Sequence, residues 1–230
     1  MSQTTSDPLE GRRVLLIVSG GIAAYKALEL IRLLTGRGCA VRCVLTEAGA
    51  QFVTPLSLQA LSGAPVHTTL WSLTDESEMG HIALSRSADL VVVCPASADI
   101  LARMAAGLAS DLATTLLLAT DTPVLAAPAM NVRMWEHPAT RANLATLRAR
   151  GVRIVGPDEG IMACNEFGSG RLSEPASILA AIADSLSCPQ VAQDLAGRHA
   201  LVTAGPTHEP IDPVRYLACL LYTSPSPRDS

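Results

Sequence analysis

The sequence predicts an α/β domain of three layers, a parallel sheet with helices on both faces. Three observations predict it. Short apolar runs rich in Val, Leu and Ile recur along the chain, as strands covered on both faces require. They alternate with longer stretches whose apolar residues fall at helical spacing. Glycines and prolines stand at many of the joins. The 230 residues suffice for one domain, or for one domain and the start of a second.

The alternation begins after a polar leader, 1–11, expected to be disordered. Residues 13–19 (RVLLIVS) read as a buried strand. Gly20 and Gly21 follow, then IAAYKALELIRLL reads as a helix that Gly36 and Gly38 stop. Residues 40–45 form the second strand and complete a βαβ unit with a right-handed crossover. Residues 52–61 read as a short helix with Pro55 near its start, and 77–87 carry His81. Residues 89–94 (DLVVVC) read as a strand that Pro95 ends. Helices are predicted over 98–106 and 112–119, a strand over 123–127, and an amphipathic helix over 138–150. A strand over 152–155 and a helix over 174–186, with Ser173 as its N-cap, close the domain. The domain thus covers 12–186. Residues 187–197 (SCPQVAQDLAG) read as a linker, and 198–218 as the opening of a second βα unit. Residues 219–230 (CLLYTSPSPRDS) have no core periodicity and are expected to be a truncated or chimeric tail.

Composition narrows the function. With 17 Lys+Arg against 21 Asp+Glu the net charge is −4, which argues against general nucleic-acid binding. Mean hydropathy is +0.31, so a membrane segment has to be considered. Asp99, Arg103, Asp111 and Asp121 interrupt the most apolar region, 90–130, and leave no span long enough for a bilayer. The polar N-terminal segment has no signal-peptide core. A cytoplasmic protein is expected. None of the six cysteines is in CxxC spacing, and no Cys/His pairs show zinc-ligand spacing. Cys39, Cys43 and Cys94 lie in strand-like segments and read as buried thiols of a reducing compartment.

Ligands of α/β sheets bind beyond the carboxyl ends of strands, and four segments there are unusual. Ser19, Gly20, Gly21 and Ile22 form a strand-to-helix turn. It is either a tight turn that needs glycine or a place where a phosphate meets free backbone N–H groups at a helix N-terminus. Pro95, Ala96, Ser97 and Ala98 are small residues that leave room for a flat ring, unless Ser97 simply caps a helix. Asn131, after Pro128, Ala129 and Met130, either fixes a carboxylate or amide or is a turn residue. The glycine-rich stretch 160–171 suggests a mobile flap, and its Cys164 is a thiol outside any strand. His81, in MGHIAL, is either structural or a base at a cofactor.

In this order, SGGIAAYK, MGHIAL, CPASAD, PAMNVRMW, ACNEFGSGR and VTAGPTHEPIDPVRY resemble the flavin-containing cysteine decarboxylase family. The branch they are most similar to is the N-terminal half of the bifunctional phosphopantothenoylcysteine decarboxylase/phosphopantothenate–cysteine ligases of coenzyme A biosynthesis. The resemblance covers 12–216. It implies a Rossmann-like flavoprotein domain that binds FMN and converts 4′-phospho-N-pantothenoylcysteine to 4′-phosphopantetheine and CO2. An unactivated carboxylate has no electron sink, and oxidation of the cysteine CH2–SH to a thioaldehyde creates one. Loss of CO2 then gives an enethiolate that is reduced again.

By the same resemblance, His81 is the base, Asn131 holds the substrate carboxylate beside Met130, and Cys164 protonates the enethiolate. Ser19, Gly20, Gly21 and Ile22 form the FMN phosphate turn, and Thr46 touches the phosphate or ribityl chain. Pro95, Ser97 and Ala98 lie along the isoalloxazine. Lys26 belongs to the motif but lies about a turn into the helix, and it receives no role. The family forms homotrimers, which can build dodecamers, with FMN near subunit interfaces, so His81 is expected to complete a site on an adjoining chain. Two departures stand out. Asn165 follows Cys164 where the family commonly has glycine, and Cys219 follows VRYLA where a ligase continues with an Asn and a Ser-Ser-Gly run. Ligase activity is therefore not expected. Relatives that decarboxylate peptide C-terminal cysteines, flavin prenyltransferases and a non-catalytic flavin-binding regulatory subunit share the fold and remain alternatives.

Overall fold

A computed structural model describes residues 7–69, 84–161 and 166–187, together with the backbone of 207–210 and 216–219. His81, Cys164, most of the leader and the linker, and the strand expected near 199–203 lie outside the described residues. The chain divides into two compact units, Met1–Cys188 and Pro189–Ser230.

In the first unit, strands β1 (Arg13–Val18), β2 (Ala40–Leu45), β3 (Val66–His67), β4 (Leu90–Ala96), β5 (Val124–Pro128) and β6 (Arg153–Ile154) form one sheet. Its order is β3-β2-β1-β4-β5-β6 and every pairing is parallel. Val14 pairs with Val41 on one side and with Leu90 on the other. The order reverses direction between β1 and β4, which makes that gap the topological switch point.

Alternation of side chains along β1 builds both cores. Val14, Leu16 and Val18 join a cluster with Leu30, Ile31, Leu58 and Ile182. These come from helices α1 (Tyr25–Gly36), α2 (Pro55–Ser62) and, as α7, Pro175–Leu186. Leu15 and Ile17 face the other layer and meet Ile100, Leu101, Leu116, Leu144 and Leu147. Those side chains belong to α3 (Ala98–Ala106), α4 (Leu112–Ala119) and α6 (Pro138–Ala149), with α5 (Val132–Glu136) before α6. The three-layer α/β fold is the one the sequence predicts. Cys39, Cys43 and Cys94 are buried, as expected.

Several boundaries differ from the sequence expectation. Helix α2 begins at Pro55 and not near residue 52, because Thr54 accepts from the Ser57 amide and Ser57 answers with its own hydroxyl, a reciprocal cap. Strand β4 does not stop at Pro95. It runs to Ala96, which pairs with Pro128 after a register shift that absorbs the missing proline N–H. The N-cap position of α7 is Glu174, not Ser173, because the Ser173 hydroxyl is spent on Asp158 Oδ1 at 2.7 Å. The expected flap is framed by an antiparallel hairpin, β7 (Asp158–Ile161) and β8 (Phe167–Arg171). It packs so closely on α5 that a Cβ at Gly168 would lie 2.8 Å from Val132 Cγ2. The second unit contains a further antiparallel pair, β9 (Thr207–Pro210) with β10 (Tyr216–Cys219). The short 211–215 connection suits antiparallel pairing, where a parallel neighbour needs a longer crossover.

One glycine missed in the sequence fixes the carboxyl edge of the sheet. Gly49, in the 3₁₀ turn Gly49–Gln51, lies so close to β1 that an added Cβ would sit 2.6 Å from the Val18 carbonyl oxygen and 2.9 Å from Leu45 Cδ1. Gly49→Ala is expected to destabilise the domain by about 1–3 kcal/mol, since neither backbone nor core can yield cheaply. Urea denaturation followed by circular dichroism checks this, and an unchanged midpoint would contradict the packing described.

Candidate functional site

Ser19, the first residue of the predicted phosphate turn, is 2% exposed. Its hydroxyl donates to the Pro95 carbonyl at 2.7 Å and accepts from the Ser97 amide at 3.0 Å. Two predicted segments are thereby tied across the switch point. Ser97 also caps α3, its hydroxyl accepting from the Ile100 amide at 3.3 Å. Thr46 is similarly engaged: its hydroxyl donates to the Val18 carbonyl at 3.3 Å and accepts from the Gly49 amide at 3.0 Å. The side chains of Ser19 and Thr46 therefore brace the crevice.

The turn that follows is open. A Cβ on Gly20 would strike Ala48 Cβ at 2.7 Å, so only glycine lets the loop after β2 come this near. Gly21 has φ +146°, which disfavours L side chains, and nothing lies within 4 Å of where its Cβ would be. A 3₁₀ turn, Ile22–Ala24, then leads directly into α1, and no side chain among the described residues caps it. Backbone N–H groups at such a helix start, beside an empty glycine face, fit an anion such as a phosphate.

Gly21, Ile22, Tyr25 and Lys26 line a cavity of about 350 Å³ together with Met130, Asn131, Ile161 and Arg171. The structure thus brings the Gly-Gly turn, the asparagine loop and the hairpin to one place. Asn131 caps α5, its side-chain oxygen accepting from the Arg133 amide at 2.7 Å. Its amide nitrogen donates to Glu166 Oε2. The Met130 amide donates to the Gly170 carbonyl at 3.0 Å and joins this loop to β8. Both the turn reading and the ligand reading of Asn131 are compatible with this geometry, since the capping oxygen leaves the amide nitrogen pointing toward the flap.

A neighbouring cavity of about 440 Å³ lies past β2, lined by Thr46, Glu47, Thr68, Ser110, Asp111 and Ala113 among others. Sequence reasoning missed the 110–113 contribution. Its signal was Asp111 with Thr114, a reciprocal N-cap that sets α4 at this edge. Burial pushes the Asp111 carboxyl up, but hydrogen bonds from Thr114 and the Arg103 guanidinium outweigh it and hold the group below the usual carboxylate range. A third cavity, of about 430 Å³, involves Pro123, Val124 and Arg150 at the amino end of β5 and contains none of the predicted residues. Ligand chemistry is accordingly sought at the carboxyl edge.

The buried cysteines are inert by their surroundings. Burial pushes the Cys43 and Cys94 thiols up to about 12 and Cys39 to about 11. Iodoacetamide at pH 8 is expected to leave these three unmodified in the folded protein and to label them after denaturation. Peptide mass mapping reads this, and native labelling of Cys94 would contradict the buried β4.

Among the described residues, no three His, Cys, Asp or Glu side chains are grouped to hold a metal ion, and no helix is long and apolar enough to cross a membrane.

The Flavoprotein family model matches residues 2–187, and the model of the DNA/pantothenate metabolism flavoprotein C-terminal domain matches 195–220. The coenzyme A biosynthesis bifunctional protein CoaBC of Haemophilus influenzae is 49% identical over 210 residues, which cover 91% of this chain and 52% of that protein. The chain therefore spans about half the length of the curated relatives it matches. Among solved structures, a PPC decarboxylase mutant complexed with pantothenoylaminoethenethiol superimposes with a TM-score of 0.67. It shares 33% identity and covers 74% of this chain and 96% of its own. The FMN-dependent cysteine decarboxylase SpaF gives a TM-score of 0.68 at 33% identity, covering 77% of this chain and 97% of its own.

Proposed function

Since the chain belongs to the flavoprotein family, we propose that it binds FMN at the switch-point crevice and decarboxylates 4′-phospho-N-pantothenoylcysteine to 4′-phosphopantetheine. The observation that carries this reading is the convergence of the open Gly20–Gly21 turn, Asn131 and the hairpin on one cavity. The 49% identity to CoaBC supports this substrate over a peptide cysteine.

When bound, FMN supplies the two-electron acceptor that makes the cysteine side chain an electron sink for decarboxylation. The N–H groups after Gly21 hold the cofactor phosphate, with Gly21 presenting no side chain to block it and Gly20 letting the Ala48 loop close in beside the turn. Pro95, Ser97 and Ala98 border the ring, and the Ser19 and Thr46 hydroxyls keep the crevice open between their strands. Asn131 orients the substrate carboxylate beside Met130. A neutral amide suits this task, because a cation would stabilise the charged ground state more than the transition state that loses CO2. His81 takes the proton during oxidation of the thiol end, and Cys164 returns one to the enethiolate. Both assignments come from the family resemblance.

Ile22, Tyr25, Ile161 and Phe167 are exposed around the cavity, each by more than half. A neighbouring subunit covering this apolar rim would exclude water from the flavin, and the family resemblance makes that neighbour part of a homotrimer or of a dodecamer built from trimers. The reading also makes the protein a cytoplasmic biosynthetic enzyme.

Incubation of the flavin-loaded chain with 4′-phospho-N-pantothenoylcysteine should release CO2 and yield 4′-phosphopantetheine by mass spectrometry. Failure on this substrate, with turnover of a peptide ending in cysteine, would move the assignment to the peptide decarboxylases. His81→Asn should abolish turnover while the protein stays yellow. Cys164→Ser should release CO2 but accumulate a product lighter by two hydrogens. Flavin-loaded protein that turns over neither substrate would favour the regulatory-subunit reading.

A further inference from the structure

The cavity beside the Gly20–Gly21 turn contains two cations that the decarboxylation steps leave without a task, Lys26 and Arg171. Both donate to the same oxygen, Glu174 Oε1: Lys26 Nζ at 3.0 Å and Arg171 Nη2 at 2.5 Å. Their settings differ. Lys26 is 8% exposed and has a second acceptor in the Leu172 carbonyl at 3.3 Å, so it is fixed beneath the base of β8. The Arg171 side chain is 45% exposed and reaches Glu174 through an ion pair that water screens. Its stem crosses Gly160, where an added Cβ would come within 3.2 Å of Arg171 Cδ, so the hairpin leaves a path for this side chain.

Around Glu174 two positive charges meet one carboxylate, while the Glu166 carboxylate is held separately by Asn131. The hydrogen bond from Lys26, with the charge of Arg171 behind it, holds the Glu174 carboxyl below the usual range, so the carboxylate stays ionised. A guanidinium matches a phosphate with a planar fork of donors. It does not suit the carboxylate that must leave, for the reason that favours the neutral Asn131 there. The fitting partner is an anion that keeps its charge throughout the reaction.

We propose that Arg171 receives a phosphate monoester in this cavity, exchanging its contact with Glu174 for it, while Lys26 keeps Glu174 in place. The inference rests on the flavin-dependent decarboxylase reading, in which two molecules carry such a group: FMN and the phosphorylated substrate. Glu174 serves as a placeholder that satisfies the guanidinium until the phosphate arrives.

The test compares wild type, Arg171→Met and Arg171→Lys. Apoprotein is titrated with FMN and with riboflavin by fluorescence. Flavin-loaded protein is titrated with 4′-phosphopantetheine and with pantetheine by calorimetry. Arg171→Met should lose about tenfold in affinity for a phosphorylated ligand and leave its dephosphorylated counterpart unchanged, with Arg171→Lys recovering part of the loss. Loss of the FMN-over-riboflavin preference assigns the cofactor phosphate to Arg171. Loss of the phosphopantetheine-over-pantetheine preference assigns the substrate phosphate. Both preferences unchanged in Arg171→Met would overturn the proposal. Wild-type CO2 release tests the underlying reading separately, so a working decarboxylase with both preferences intact refutes Arg171 alone.

Discussion

The Ser19 hydroxyl, almost wholly withdrawn from solvent, bonds to both sides of the Pro95–Ser97 segment at the point where strand order reverses. A parallel sheet leaves a gap between two loops there, because the connections on either side go to opposite faces. Buried hydrogen bonds are costly to leave unmade, so this bridge fixes how far apart the loops stand. Thr46 performs the same service one strand over, against Val18 and Gly49. The crevice is therefore shaped by side chains turned inward, while backbone amides and the open face of Gly21 remain for a ligand.

That distribution also explains which parts of the molecule could be read in advance. Strands β1, β4 and β5 announce themselves as apolar runs buried on both faces, and β2 is legible from its apolar residues although Arg42 interrupts the run and is exposed. Helix α1 is legible from Ala27, Leu30, Ile31 and Leu34 at helical spacing. Elements decided by single hydrogen bonds were not legible. The start of α2 depends on a reciprocal Thr54–Ser57 cap, and Ser173 looked like a cap until Asp158 claimed its hydroxyl. The hairpin β7–β8 has too many glycines and charges for a strand pattern. It is held by cross-strand pairing and by contact with α5, which are long-range facts.

The candidate site divides in the same way. Glycines and Asn131 could be found from local sequence, since a turn, a close approach and an amide after a strand each leave a residue-level signature. Ser19 and Thr46, read from the sequence as cofactor contacts, turn their hydroxyls to the frame. Lys26 and Arg171 are separated by 145 positions and meet only through Glu174, so no motif joins them. The arrangement that emerges separates charge types along one cavity. Its lining holds a neutral amide, Asn131, and two cations, Lys26 and Arg171.

The proposed flavin site in this crevice is open to direct measurement. Titration of flavin-free protein with FMN, followed by quenching of flavin fluorescence, tests it most directly. Saturable uptake near one FMN per chain is expected, with riboflavin held less tightly because the helix-start amides would then lack their anion. Correctly folded protein that quenches no flavin fluorescence at any FMN concentration would contradict it.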